Sequence, residues 1–163
     1  MSEMETHNPK STAKIAGHPL HPMVVPFPIA FFVSTLVTDL IYRGTGRAGF
    51  ADASMWLLGA GLAGALLAAV LGLTDFLSEP RVRALREAWL HMGGNVVVVV
   101  LQAINIGLRA SSSFPGVTVA QTALSALVVA LLLFTGWMGW AMVYRGHVGV
   151  ADDREIGPAR LRA

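Results

Sequence analysis

Four stretches of this 163-residue chain contain no Asp, Glu, Lys or Arg: residues 15–38, 53–74, 88–108 and 110–144. A helix needs about 20 apolar residues to cross the hydrocarbon core of a bilayer, and each run is long enough. The predicted spans are about 24–42, 53–77, 88–109 and 117–144. Composition agrees, with 54% hydrophobic and 13% charged residues, against roughly 25% charged in an ordinary soluble domain. The connections "RGTGRAGF", "SEPRVR" and "SSSFPG" are rich in Gly, Pro or Ser and read as turns. The expected fold is therefore all-α, an integral membrane up-and-down four-helix bundle. Residues 15–150 form the membrane domain, between polar and loose tails at 1–14 and 151–163. No tandem repeat is evident.

Charge decides orientation, because positively charged loops resist translocation. Lys10, Lys14, Arg81, Arg83, Arg86, Arg145, Arg154, Arg160 and Arg162 fall on one side, and Arg43, Arg47 and Arg109 on the other. Both termini are expected in the cytoplasm. The first apolar run is broken by Pro26 and Pro28 and continues to Asp39, unlike a cleaved signal peptide. The net charge of +2 includes no basic run of the kind that binds nucleic acid, so the lipid bilayer is the partner the composition implies. The absence of cysteine excludes disulfides, thiolate-held clusters and covalently attached haem.

Helices in lipid associate through close backbone approach and interhelical hydrogen bonds. Ala60, Gly64, Ala68 and Gly72, four residues apart, form a groove for a neighbouring helix. "GAGLAG" at 59–64 matches a dinucleotide-binding pattern by letter but lies inside an uncharged span with no strand before it. In the third span His91, Asn95, Gln102 and Asn105 fall within roughly an 80° arc of one helix face. Polar groups at that depth must pair or line a wet cavity. Asp39 has Arg43 one turn later, an i,i+4 partner at the interface. Trp137, Trp140 and Tyr144 approach Arg145 at the end of the fourth span, where amphipathic rings favour the headgroup layer.

The stretch "IAGHPLHPMVVPFPIA" sets His18 and His21, each before a proline, at the entry to the first span. A residue before proline is pushed away from helical geometry, so an extended arm is expected up to Pro28, with both imidazoles facing the bundle mouth. Asp75, His91 and His147 fall on the same side. Neutral imidazoles with a carboxylate suit a first-row transition metal ion, and His18, His21, His91 and Asp75 would complete such a set. A b-type haem held by two opposed imidazoles is the other candidate, harder to build while only His91 is securely helical. Water-satisfied imidazoles, and proton relay near neutral pH, remain open for the same atoms.

Taken in order, "GHPLHPMVVPFPIA", "TDLIY", "WLLGAGLAGALLAAVLGLTDFL", the His and Asn opening the third span and "GWMGWAMVYRGHVGV" resemble the bacterial membrane family called domain of unknown function 2231, over about residues 15–150. The resemblance implies a four-span inner-membrane protein with unassigned biochemistry, in which His18, His21, Asp75, His91 and Arg145 stand at motif positions. Members often read Gly-Glu before a Leu-Val-Tyr-Arg segment and His-Gly after it. Here Trp140 and Ala141 stand before the corresponding segment, and Gly146 and His147 after it are transposed.

The reading is a membrane protein with a cytoplasm-facing His/Asp site that binds a metal ion or b-type haem for redox or metal handling. No catalytic constellation is found, so binding is expected over catalysis. The alternative is a scaffold or accessory subunit docking a homodimer mate or another membrane protein through the His-Pro collar and Gly/Ala groove. A transport path along the third-span stripe is weaker, since no broken helix pair is evident.

Overall fold

A computed structural model describes residues 7–112 and 116–151; the tails at 1–6 and 152–163 and positions 113–115 of the third connection lie outside them. The chain enters through a short antiparallel pair, β1 (Lys14–Ile15) and β2 (His18–Pro19). Ala16 (φ 49°) and Gly17 (φ 83°) turn between them, two successive left-handed residues as in a tight hairpin. One helical turn, α1 (Leu20–Val24), leads into α2 (Pro26–Thr45). α3 (Ala48–Ser78) returns, α4 (Pro80–Arg83) connects, α5 (Arg86–Ala110) goes out again and α6 (Val119–Tyr144) returns. Among the described residues four helices, Leu20–Thr45, Ala48–Ser78, Arg86–Ala110 and Val119–Tyr144, are long and apolar enough to cross a membrane.

The expected extended arm is a helix from Leu20 on. Pro19 is the N-cap of α1, Pro22 lies in its first turn, and Pro26 and Pro28 lie in the first turn of α2. Those are positions whose N–H groups have no partner within the helix, so proline removes nothing there. α2 stops at Gly46 (φ 66°), whose amide bonds the Tyr42 carbonyl at 2.7 Å, a left-handed C-terminal cap. α6 starts with a reciprocal capping box between Thr118 and Gln121.

The helices pack as two hairpins, α2 with α3 and α5 with α6, and α2 also touches α6 while α3 touches α5. Phe32, Leu58, Val98 and Val128 form the central core. Between α2 and α3 the glycine in closest approach is Gly61, where a Cβ would lie 2.6 Å from the Phe32 ring. Of the expected small-residue groove, Gly64, Ala68 and Gly72 face inward. Ala60 is exposed, whereas Gly61, Gly64 and Gly72 face Phe32, Pro28 and His21. Its occupant is the chain's own first helix. Around the outside, Phe27, Val37, Trp56, Val70, Val100 and Leu133 are exposed, the apolar surface that a bilayer covers.

The two hairpins repeat one another, a relation the letters of the sequence largely hide. The buried positions Pro28, Phe32, Thr35 and Asp39 of α2 recur 70 residues on as Val98, Gln102, Asn105 and Arg109 of α5. Ser54, Leu58, Gly61 and Ala68 of α3 recur 67 residues on as Gln121, Ser125, Val128 and Thr135 of α6. Because α2 and α5 run in the same direction, the hairpins are related by a pseudo-two-fold axis along the bundle. None of these eight pairs is an identity, but the same two registers pair His21 with His91 and Gly72 with Gly139.

Residues 8–13 are tied down where a loose tail is expected. The Asp75 carboxylate, at the end of α3, accepts from the Ser11 hydroxyl (2.9 Å) and from the Thr12 and Ala13 amides (2.7 and 2.8 Å). Pro9 O accepts from the Gly149 amide at 2.8 Å and Val150 O from the Asn8 amide group at 3.3 Å. Both ends of the described chain therefore meet at one end of the bundle.

Candidate functional site

Polar groups gather at the two ends of the pseudo-two-fold axis. At the end shared by the chain termini stand His21, on α1, and His91, one turn into α5. Their ring centres are 6.2 Å apart with planes at 84°. The Nδ1–H of His21 donates to the Ala68 carbonyl, and that of His91 to the Thr135 carbonyl, each at 2.8 Å. A carbonyl only accepts, so both rings carry a proton on Nδ1, and in the neutral ring Nε2 then keeps its lone pair, the tautomer of a ligating imidazole.

The repeat supplies both seats. His91 stands 70 residues after His21, and Thr135 67 after Ala68. Four residues beyond each accepting carbonyl comes a glycine, Gly72 or Gly139. A Cβ would lie 3.0 Å from the His21 ring at the first and 3.2 Å from the His91 ring at the second. Each ring thus rests on bare backbone, fixed by one hydrogen bond and by contact.

Other members of the expected ligand set lie apart. Asp75 is engaged by the N-terminal arm through both oxygens. His18 is exposed, with its Nδ1 turned to the Ala16 carbonyl at 3.0 Å. His147 is exposed in a left-handed turn (φ 51°) after α6. Among the described residues no group of three or more His, Asp or Glu side chains is placed to share a metal ion. The structure brings together His21 and His91 alone.

The opposite end holds a buried ion pair. Asp39 does not pair with Arg43, which is exposed; its Oδ2 accepts from Arg109 Nη2 at 2.7 Å and its Oδ1 from Nη1 at 3.1 Å. The side chains are 0% and 5% exposed. Ser54 donates to Asp39 Oδ1 and Ser125 to Oδ2 at 2.8 Å, while Arg109 Nε donates to Asn105 Oδ1 at 3.1 Å. Asn105 in turn donates to Ser125 Oγ and Gln102 Oε1. All four long helices contribute, and the guanidinium's donors are directed at Asp39, Ser54, Ser125 and Asn105. This is a lock between helices rather than an open anion site.

The α5 stripe faces inward as its arc requires. Asn95 donates to the His91 carbonyl at 2.7 Å, and Gln102 and Asn105 are fully buried. Gln102 Nε2 is a buried amide nitrogen without a hydrogen-bond partner among the described residues. Trp137, Trp140 and Tyr144 stack outside α6 with centres 5.6 and 5.4 Å apart, and Arg145 lies 5.6 Å over Trp140. In the connector, Arg81 and its own loop hold the Glu79 carboxyl down at about pKa 2, chiefly through the side-chain hydrogen bond from Arg81.

Arg109 stands at the expected end of the third span, but its pairing with Asp39 was not expected from sequence spacing. Its signal was present: it is the lone charge between two uncharged runs, 70 residues after the lone acid that ends the first.

No curated protein and no solved structure matches the chain. The family model described as "Predicted membrane protein (DUF2231)" matches residues 17–152. That span contains both hairpins, the two seated imidazoles and the Asp39–Arg109 lock, and the chain belongs to the DUF2231 family of membrane proteins.

Proposed function

We propose that this multi-pass membrane protein binds a transition-metal centre between His21 and His91 and serves redox chemistry or metal handling in the bacterial inner membrane, with both termini in the cytoplasm. The observation that carries the reading is the pair of imidazoles fixed in the Nδ1–H tautomer by backbone carbonyls, with both Nε2 lone pairs free. Neutral imidazole nitrogen suits iron, copper and zinc alike. Second-shell bonds of this kind orient a ligating ring and raise its basicity. Asp75, His18 and His147 stay outside the ligand set in this reading.

The test is metal analysis of the full chain purified in detergent without added chelator. Stoichiometric iron, copper or zinc is expected, lost in His21→Ala and His91→Ala and kept in His18→Ala and His147→Ala. A metal-free wild type, or metal that survives both site variants, overturns the proposal.

A further inference from the structure

The site proposed above leaves the centre itself unnamed, and the inference here rests on that site: we infer that its occupant is a b-type haem held between His21 and His91 as trans axial ligands. Distance separates the coordination classes. A metal–nitrogen bond of about 2.0 Å and a nitrogen about 1.1 Å from its ring centre put two trans imidazole centres about 6.2 Å apart, two tetrahedral ones about 5.1 Å and two cis ones about 4.4 Å. The observed separation is 6.2 Å. Zinc in a tetrahedral cage is thereby disfavoured twice, by this spacing and by the lack of a third ligating side chain among the described residues. A tetrapyrrole brings four in-plane nitrogens of its own and needs from the protein only two opposed imidazoles.

The pseudo-two-fold axis is what opposes them. Ligands at equivalent positions of two hairpins lie on opposite sides of the axis, and a planar macrocycle on that axis presents one face to each. Its plane then runs along the bundle, between α3 and α6. Those helices carry Ala65, Ala68, Ala69 and Gly72 on one and Gly136 and Gly139 on the other near this level.

Visible and electron paramagnetic resonance spectra of the full-length protein test this, on protein from haem-supplemented cells and after titration with hemin. The expected result is a Soret band with sharp reduced α and β bands, a six-coordinate low-spin centre that does not take up carbon monoxide. Near-perpendicular imidazole planes leave the iron π orbitals almost degenerate, so the ferric signal should be of the strongly anisotropic low-spin type. His21→Gly and His91→Gly should each lose the low-spin bands and gain carbon monoxide binding, and free imidazole should restore the low-spin spectrum. If a variant fails to accumulate, the wild-type spectra still decide. Stoichiometric copper or zinc without a Soret band overturns the haem and leaves the two-histidine site standing. Protein with neither haem nor metal overturns both. A five-coordinate or carbon monoxide-binding wild type, or a low-spin spectrum unchanged in both glycine variants, overturns the haem assignment.

Discussion

Replacing Arg109 with Met should be among the most damaging single changes in the protein. The substitution keeps an unbranched apolar stem but removes the guanidinium that donates to both Asp39 oxygens, to Ser54 and Ser125, and to Asn105. Asp39 keeps only its two serine donors at zero exposure. Removing one partner of a buried ion pair typically destabilises by about 3–5 kcal/mol, because the remaining charge is left uncompensated. At about 1.4 kcal/mol per decade that is roughly a 10²- to 10⁴-fold fall in the folding equilibrium. Asp39→Leu combined with Arg109→Met removes both charges and should recover most of the loss, a coupling that a double-mutant cycle isolates. The pseudo-two-fold axis adds a sharper case. Asp39 and Arg109 occupy equivalent positions, so the exchanged pair, Asp39→Arg with Arg109→Asp, should be more stable than either single variant. Reversible unfolding in mixed detergent micelles, followed by tryptophan fluorescence, measures all seven proteins, the wild type, the four single variants and the two double variants. A loss below about 1 kcal/mol for Arg109→Met, the range of solvated surface pairs, would refute the argument, as would additive effects in the cycle.

Gly61→Leu should destabilise by about 1–3 kcal/mol through overpacking, since even a Cβ there meets the Phe32 ring at 2.6 Å; Gly59→Ala, with open space around it, should be near neutral in the same assay. The Glu79 carboxyl has a lowered pKa in the folded chain, so its contribution is fully present above the ordinary value of 4.5 and lost as pH falls toward about 2. Hydrogen exchange at Lys10 and Arg81, whose amides bond this carboxylate, should quicken over that window, and unchanged protection would count against the assignment. Asp75→Asn should speed proteolysis within residues 8–13 while leaving bound metal unchanged; loss of the metal with an intact arm would return Asp75 to the ligand set. The chain has no cysteine, so Gly49→Cys and Val150→Cys can be labelled singly in intact cells. An impermeant maleimide should reach position 49 and not 150, and the opposite pattern would invert the proposed orientation.

Much of the candidate site was legible one helix at a time. The 3.6-residue period placed His91, Asn95, Gln102 and Asn105 on one inward face, and His21 was singled out at the bundle mouth. The His-Pro entry misled, because bias against helix before proline is weaker than the tolerance of proline in a first turn, where no N–H is required. Proximity in sequence misled at Asp39 as well, since Arg43 is one turn away while Arg109 is reached only across the bundle. Local pairing suffices at a wet interface, but a carboxylate at zero exposure needs a partner that is buried with it.

The amino-acid sequence alone determined that this chain has four segments long and apolar enough to cross a membrane, because uncharged length is a property of each segment taken singly and bilayer thickness sets its threshold. It also determined which residues could not face lipid. Which of those residues meet was decided only by the tertiary structure. Helical periodicity states the face a side chain occupies but not the rotation of one rod against another. The 70- and 67-residue registers, written more in burial than in letters, accompany that rotation and bring His21 to His91 and Asp39 to Arg109.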